Sequence, residues 1–429
     1  MTLVYSGGNL TLSGVPNAPA TGPNSALAVT RTSGTNYQVT DGTTNLGTYA
    51  VTGNVNLSLT RDNTNININL AGGLLPGNLT IDLGLGDTDL TTTNPVSVFG
   101  GGASRVGGTV TVKNGSGVEV INIGGTQSPL IASPVTIGGG VTTTLRNRND
   151  LFGDTLFIGP GSTVNGLVNA TQTDNVNVLF DPISTLSGRV GGGIIANNSG
   201  SSTALSVIAD GTVNNGITMV GSSNASFGDE FRTGTFGTGT VNGNVTLSLA
   251  GGLNFVNVLT GSALSGNLTV TGDTGSTTTA TLSGTVNGSV GMTLGNGDNS
   301  VSLSGAVGGN LSVYAGNGAD TVSITGSIGG NVSANLNNGA NVLGLNGAIS
   351  GARVDYTGGS GADSVSVSGT NSFAMNLNLG AGADTVSFAN NATTVGSATI
   401  DFGVDFDTDV LDLPVGYVFT YPMVLRNYP

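Results

Sequence analysis

The sequence predicts an all-β fold, a parallel β-solenoid whose coils are about 21–23 residues long. Three observations predict it. Glycine supplies 74 of the 429 residues, while Val, Ile and Thr recur at fixed places. Strong helix formers are scarce: Glu occurs only at Glu119 and Glu230, and Gln only at Gln38, Gln127 and Gln172. Finally, one short segment returns at near-constant spacing through the C-terminal third.

That segment is Gly309-Asn310-Leu311-Ser312-Val313, which recurs as Gly330-Asn331-Val332-Ser333-Ala334 after 21 residues. Upstream copies begin at Gly288, Gly266 and Gly243, at spacings of 21, 22 and 23. A second column, Asn299, Asp320, Asn341, Asp363 and Asp384, runs in parallel at 21, 21, 22 and 21. An alternating apolar pair follows each member, for example Val322 and Ile324. Looser copies precede these at Gly8-Asn9-Leu10, Gly53-Asn54-Val55, Gly77-Asn78-Leu79, Gly166-Leu167-Val168 and Gly216-Ile217.

One coil is legible in residues 310–330. Leu311-Ser312-Val313-Tyr314 forms a strand, Gly316 to Ala319 a turn, Thr321-Val322-Ser323-Ile324 a second strand, and 325–330 a return leg. Alternation puts Val, Ile and Leu on one side of each strand and Ser, Thr and Asn on the other. So short a unit cannot bury its apolar side alone, whereas stacked units can. Antiparallel sandwiches and propellers also use short strands with Gly turns. Constant spacing favours the solenoid, because each coil must sit on the last. Roughly 15 coils are expected, each rising about 4.8 Å.

The expected organisation is irregular coils over 1–240, regular coils over 241–400 and an aromatic segment over 401–429. Asn244, Asn267, Asn310 and Asn331 are expected to stack into an amide ladder along the coil axis. Sequons such as Asn267-Leu268-Thr269 and Asn310-Leu311-Ser312 arise when a strand-starting Asn precedes an outward Thr or Ser, so glycosylation is not expected from them.

Composition excludes much chemistry. There is no Cys, His or Trp, so disulfides, Cys/His zinc sites and Ser-His-Asp or Cys-His machinery are absent. The sole lysine, Lys113, follows Val112 rather than a glycine, so there is no GxxxxGK phosphate loop. Ten basic residues against 24 acidic give a net charge of −14, which argues against nucleic acid as a partner. No apolar run is long enough for a membrane span. Met1 to Gly7 contain neither a basic region nor an apolar core, so no ordinary secretion signal is expected there.

The strongest chemical motif is Gly-x-Gly-x-Asp-x-Val, at Gly316 to Val322, Gly359 to Val365 and Gly380 to Val386. It resembles the nonapeptide of RTX-type calcium-binding repeats over about residues 295–390. The resemblance implies calcium held by turn carbonyls and by Asp320, Asp363 and Asp384. This chain departs from that family in its period and in lacking Asp at the other corners. A turn-forming Asp is the competing reading, and no cofactor is required by it.

Two further acidic groups stand out. Asp405, Asp407 and Asp409 alternate, flanked by Asp401 and Asp412, and are expected on a solvated edge strand. Paired acids of this kind also serve polysaccharide-cleaving enzymes. Asp229-Glu230 is expected in a loop bulging from one coil. The C-terminal segment differs from the body: Tyr417, Phe419, Tyr421, Val424 and Leu425 concentrate apolar bulk, and Pro414, Pro422 and Pro429 interrupt it. It reads either as a cap on the last coil or as an assembly strand that docks on Leu3, Val4 and Tyr5 of another copy.

Repeat type and composition resemble secreted bacterial β-solenoid surface and fibre proteins. The resemblance implies an extracellular or cell-surface structural subunit that polymerises head to tail, with surface glycans as further partners. An adhesin or tail-spike-like binding protein on a β-helix shaft is the alternative, and a polysaccharide-active β-helix enzyme is the third.

Overall fold

In a computed structural model the chain is a parallel β-solenoid. The structure describes residues 1–15, 25–60, 64–84, 93–100, 103–114, 118–126, 131–145, 154–173, 175–178, 180–181, 186–199, 201, 203–222, 228–235, 238–369, 373–389, 396–404, 407–415 and 423–428. No helix occurs among them. The chain divides into two compact units. Unit 1 comprises Met1–Ser226 with Thr235–Asn242, and unit 2 comprises Phe227–Gly234 with Gly243–Pro429.

The coils of unit 2 have three faces as far as Ala348–Ile349, after which only the first two faces carry strands among the described residues. The coil predicted over 310–330 places Leu311–Tyr314 on the first face, Thr321–Ile324 on the second and Ser327–Ile328 on the third. The third strand lies inside the return leg. First-face strands pair parallel, with Val290, Leu311, Val332 and Val354 in one file. On the second face Thr321, Val342, Ser364 and Thr385 form another. Parallel pairing in this register rules out the sandwich. Inward residues are stripped of water: Leu311, Val313, Val322, Ile324 and Ile328 are all buried. Burial of these aliphatics in every coil stabilises the stack by roughly 1.5–3 kcal/mol per side chain.

Unit 1 uses the same three faces with coils of less regular length. Leu79, Val110 and Val141 are successive first-face partners, 31 residues apart, and Ile194 and Ile217 only 23 apart, where unit 2 spaces its first-face partners by 21 to 25. Part of the extra length makes small antiparallel excursions, Gly125–Thr126 with Ile131–Ala132 and Phe180–Asp181 with Leu186–Ser187.

The first 50 residues correct the expectation of coils from the start. Thr2–Ser6 folds back antiparallel on Asn9–Gly14, and Ser25–Ser33, Asn36–Asp41 and Thr44–Ala50 form an antiparallel meander. Only Asn9–Gly14 and Ser25–Ser33 enter the parallel stacks, on Val55–Leu59 and Thr64–Asn69. The turns explain this. Gly7, Gly8, Gly34 and Gly42 take positive φ, which two-residue reversals require. The Asp41-Gly42 dipeptide is the sequence signal for such a hairpin.

Candidate functional site

Two hydrogen-bonded files of side chains run along unit 2, and they differ in burial and in direction. The outer file stands at the exposed corner before the first face. The N–H of Asn267 donates to Oδ1 of Asn244 at 2.9 Å, and that of Ser289 to Oδ1 of Asn267 at 2.8 Å. The N–H groups of Asn331 and Arg353 continue it, donating to Oδ1 of Asn310 and Asn331. Unit 1 repeats the pattern, from Asn54 to Asn9 and from Asn78 to Asn54. The predicted amide ladder is therefore a file of main-chain donors on side-chain oxygens. The strand start leaves a free N–H, and the side chain one coil earlier satisfies it, an Asn in most of these coils and Ser289 for the N–H of Asn310.

The inner file stands at the corner before the second face, and its members are buried. Here each residue donates to the next coil. The N–H of Asn299 meets Oδ1 of Asp320 at 2.9 Å, Asp320 meets Asn341 at 3.1 Å, and Asn341 meets Asp363 at 2.9 Å. Asp363 then donates to Asp384 at 2.8 Å, and Asp384 to Asp409 at 3.0 Å. The asparagines also spend their amide hydrogens: Nδ2 of Asn299 donates to the carbonyls of Gly295 and Gly297, and that of Asn341 to Asn337. An aspartate has no such hydrogens. Oδ2 of Asp320 and of Asp363 completes no hydrogen bond among the described residues.

Electrostatics follow from that burial. Burial raises Asp320 above the usual carboxylate range, with the Asp298 charge adding to it and the Asn299 donors opposing it. Burial likewise raises Asp363, against the Asn341 N–H and the neighbouring Tyr356 hydroxyl. That hydroxyl adjoins the Asp363 carboxyl without reaching hydrogen-bond geometry. Burial, then the Asp363 carboxylate, drives the Tyr356 phenol strongly upward. Gly358 makes room for the acid, since a Cβ there would lie 1.7 Å from Oδ2 of Asp363. Tyr356 and Gly358 were not legible as partners of this file, because inward position is set by a strand pattern common to every coil.

The donors were tested against the RTX-like calcium cradle. Oδ1 of Asp320, Asp363 and Asp384 already accepts a backbone N–H. The turn carbonyls of Gly295, Asn338, Gly359, Ser360 and Ala381 accept N–H groups from adjoining coils. Calcium needs six to eight oxygens, and these are engaged in holding coils together, so the arrangement does not fit the cradle.

The other predicted residues are dispersed. Asp409 is the buried last member of the inner file, Asp401 ends a first-face strand and Asp412 a second-face strand. Asp401 accepts from Nδ2 of Asn427 at 2.7 Å. The expected shared face of Asp405, Asp407 and Asp409 is thus corrected at Asp409, while Asp405 lies outside the described residues. Asp229 is not in a bulging loop: it is buried, donates to Oδ1 of Asn254 at 2.7 Å and accepts from the Ala250 N–H at 2.8 Å. Glu230 begins a second-face strand and pairs with Arg232.

At the N-terminal edge, Leu3 and Tyr5 lie over Leu12 and Leu10, with Val4 53% exposed on the other side. Tyr5 packs on Tyr49 at 5.5 Å and its hydroxyl donates to the carbonyl of Ala50 at 2.6 Å. At the other edge Met423–Arg426 adds to the first face, parallel to Ala398–Asp401, and Phe402 meets Tyr428 at 5.1 Å. Val424 and Leu425 on that strand are exposed. Tyr417, Phe419 and Tyr421 lie outside the described residues.

No family model, no curated protein and no solved structure matches this chain. Among the described residues no group of three or more acidic side chains is placed to hold a metal, and no helix is long and apolar enough to cross a membrane.

Proposed function

We propose that the chain is a structural subunit of a bacterial extracellular filament or surface layer, joining copies head to tail by strand addition. The observation that carries this reading is the pair of exposed edge strands, Thr2–Ser6 with Val4 and Tyr5, and Met423–Arg426 with Val424 and Leu425. Unpaired strand edges bearing apolar side chains are sites of β-augmentation, and a heterologous contact that does not close yields a fibre. Main-chain groups and the Asn/Asp files along unit 2 make coil-to-coil bonds, which suits a passive shaft. The test is sedimentation and negative-stain imaging across a concentration series. Filaments that lengthen with concentration, and that vanish in a Val424→Lys/Leu425→Lys variant, are expected. A species of one size at every concentration would sink the proposal.

An adhesin or tail-spike-like shaft is the second reading, favoured by the groove of about 710 Å³ that residues from Thr260 to Ala348 line at the corner between the second and third faces of unit 2. Catalysis is not proposed, since Asp401, Asp409 and Asp412 serve three different strands or files. Calcium at Asp320, Asp363 and Asp384 is not required by the proposed role. An ion there would have to rely on the Oδ2 atoms of Asp320 and Asp363.

A further inference from the structure

Nine Asn-Gly steps occur in the chain, and in eight of them both residues are described. At such a step a chain can modify itself, because a glycine nitrogen with no side chain beside it can attack the preceding side-chain amide. A hydrogen bond from the glycine N–H withholds that nucleophile. In six steps the bond is present. The N–H groups of Gly166, Gly288, Gly297, Gly318 and Gly339 donate to main-chain carbonyls of adjoining coils, and that of Gly243 donates to Oγ of Ser265. Two steps remain, Asn215-Gly216 and Asn346-Gly347.

Three features single out Asn346-Gly347. First, its register-mates Gly284, Gly305 and Gly326 donate to Val258, Leu282 and Leu303 at 2.8, 2.9 and 3.0 Å, while the N–H of Gly347 meets no acceptor among the described residues. Second, Asn346 is exposed, and its Oδ1 accepts the Ser368 hydroxyl at 2.5 Å. A hydroxyl on that oxygen draws charge from Cγ and stabilises the oxyanion that attack creates. Third, Gly347 leads into Ala348–Ile349, the last strand of the third face, which pairs only with Ser327–Ile328 among the described residues. A strand held on one side opens locally more readily than one clamped on both. Gly347 is buried, so its N–H is released when this edge peels. Ser368 keeps its place, since its own N–H holds the Leu345 carbonyl at 2.9 Å. Asn215 differs on two counts. Its Nδ2 is bonded, to the Gly191 carbonyl at 2.9 Å, and the strand before it, Thr212–Asn214, is paired on both sides.

We propose that Asn346 is a self-modification site, converted to aspartate and isoaspartate with the Ser368 hydroxyl polarising its amide. The Gly347 nitrogen gives its proton to a solvent base and bonds to Cγ of Asn346. The bond from Cγ to Nδ2 then breaks, and ammonia leaves with a proton from water. Water opens the resulting cyclic imide at either carbonyl. Opening at one gives aspartate; opening at the other gives isoaspartate, whose main chain is one methylene longer. That methylene has little room, since a Cβ on Gly347 would already lie 2.0 Å from the Gly326 carbonyl oxygen. The reaction therefore loosens the end of the third face with age. The site does not depend on end-to-end assembly.

The test is incubation of the folded full chain in mildly alkaline buffer, followed by peptide mass mapping and enzymatic labelling of isoaspartate. Conversion at Asn346 is expected to be about tenfold faster than at Asn317 or Asn338, the effect of one hydrogen bond withheld from the nucleophile. In denaturant the three sites are expected to react alike. Ser368→Ala is expected to slow conversion of Asn346 about tenfold, and Ser368→Thr to restore it. A merely structural loss at Ser368 would loosen the edge and speed the reaction instead. Equal conversion of Asn317 or Asn338 in the folded chain, selectivity that persists in denaturant, or an undiminished rate in Ser368→Ala would overturn the proposal. None of these results bears on filament formation.

Discussion

Asp363 is the residue where the fold's hydrogen bonding and its electrostatics conflict. Its Oδ1 satisfies the Asn341 N–H, while its other oxygen is buried without a donor. Asp363→Ala leaves that buried N–H unpaired and is expected to cost about 1–3 kcal/mol, read from chemical denaturation. Asn310→Ala removes the equivalent acceptor in the exposed outer file, where water substitutes, and is expected to cost no more than about 1 kcal/mol. Asp363→Asn should have the opposite sign at neutral pH. Its amide keeps the acceptor and gains the kind of contact Asn341 makes with the Asn337 carbonyl. The pH dependence has a definite direction. Asp320 and Asp363 hold their protons more tightly folded than unfolded. Between the ordinary carboxylate value and the raised one, the folded state carries more protons, so stability falls as pH rises. Their contribution is fully present below the ordinary value and is lost as pH climbs through the raised one. Unit 2 is expected to melt at a higher temperature at pH 5 than at pH 7.5. In an Asp320→Asn/Asp363→Asn variant that difference should shrink; a difference of undiminished size would refute the assignment.

At the scale of the element, the coil is the unit of substitution. Files in register mean that removing residues 311–331 brings Val332 onto Val290 with every column preserved. That deletion is expected to fold cooperatively with somewhat lower stability, as in other stacked-repeat proteins. Deleting 311–320 removes the first-face strand Leu311–Tyr314 and puts the second-face strand Thr321–Ile324 in its place, and should abolish the transition in circular dichroism. The corners set a second requirement. Gly305→Ala places a methyl group against the Gly284 carbonyl and is expected to lower the melting temperature sharply, whereas Ser304→Ala beside it should be nearly silent. Regular coils were legible because their spacing is constant. The antiparallel start was not, although Asp41-Gly42 carries a hairpin signal. Strand alternation is identical in parallel and antiparallel pairs, and only the turn decides which neighbour a strand meets.

Over the whole molecule, the sequence located the sites unevenly. The inner file was visible as a spaced column of Asn and Asp, and its RTX-like turns suggested calcium. The structure assigns the same oxygens to backbone donors. Melting is accordingly expected to be the same in excess calcium and in chelator; a shift of several degrees on chelation would restore the metal. Asp409 and Asp229 were visible only as members of acidic clusters, because the insertions around them disturb the period that marks the file.

Composition and period by themselves determined the fold class and, in the regular coils, the inward and outward sides of the strands and the positions of the corners. A stack of short coils has few other ways to bury alternating aliphatics and satisfy its glycine-rich turns. Only the tertiary structure decided which oxygen each buried carboxylate shares, which way each ladder runs and where the corner opens into a groove. Those depend on contacts between residues about one coil apart, and a linear pattern records that they align without recording how they meet.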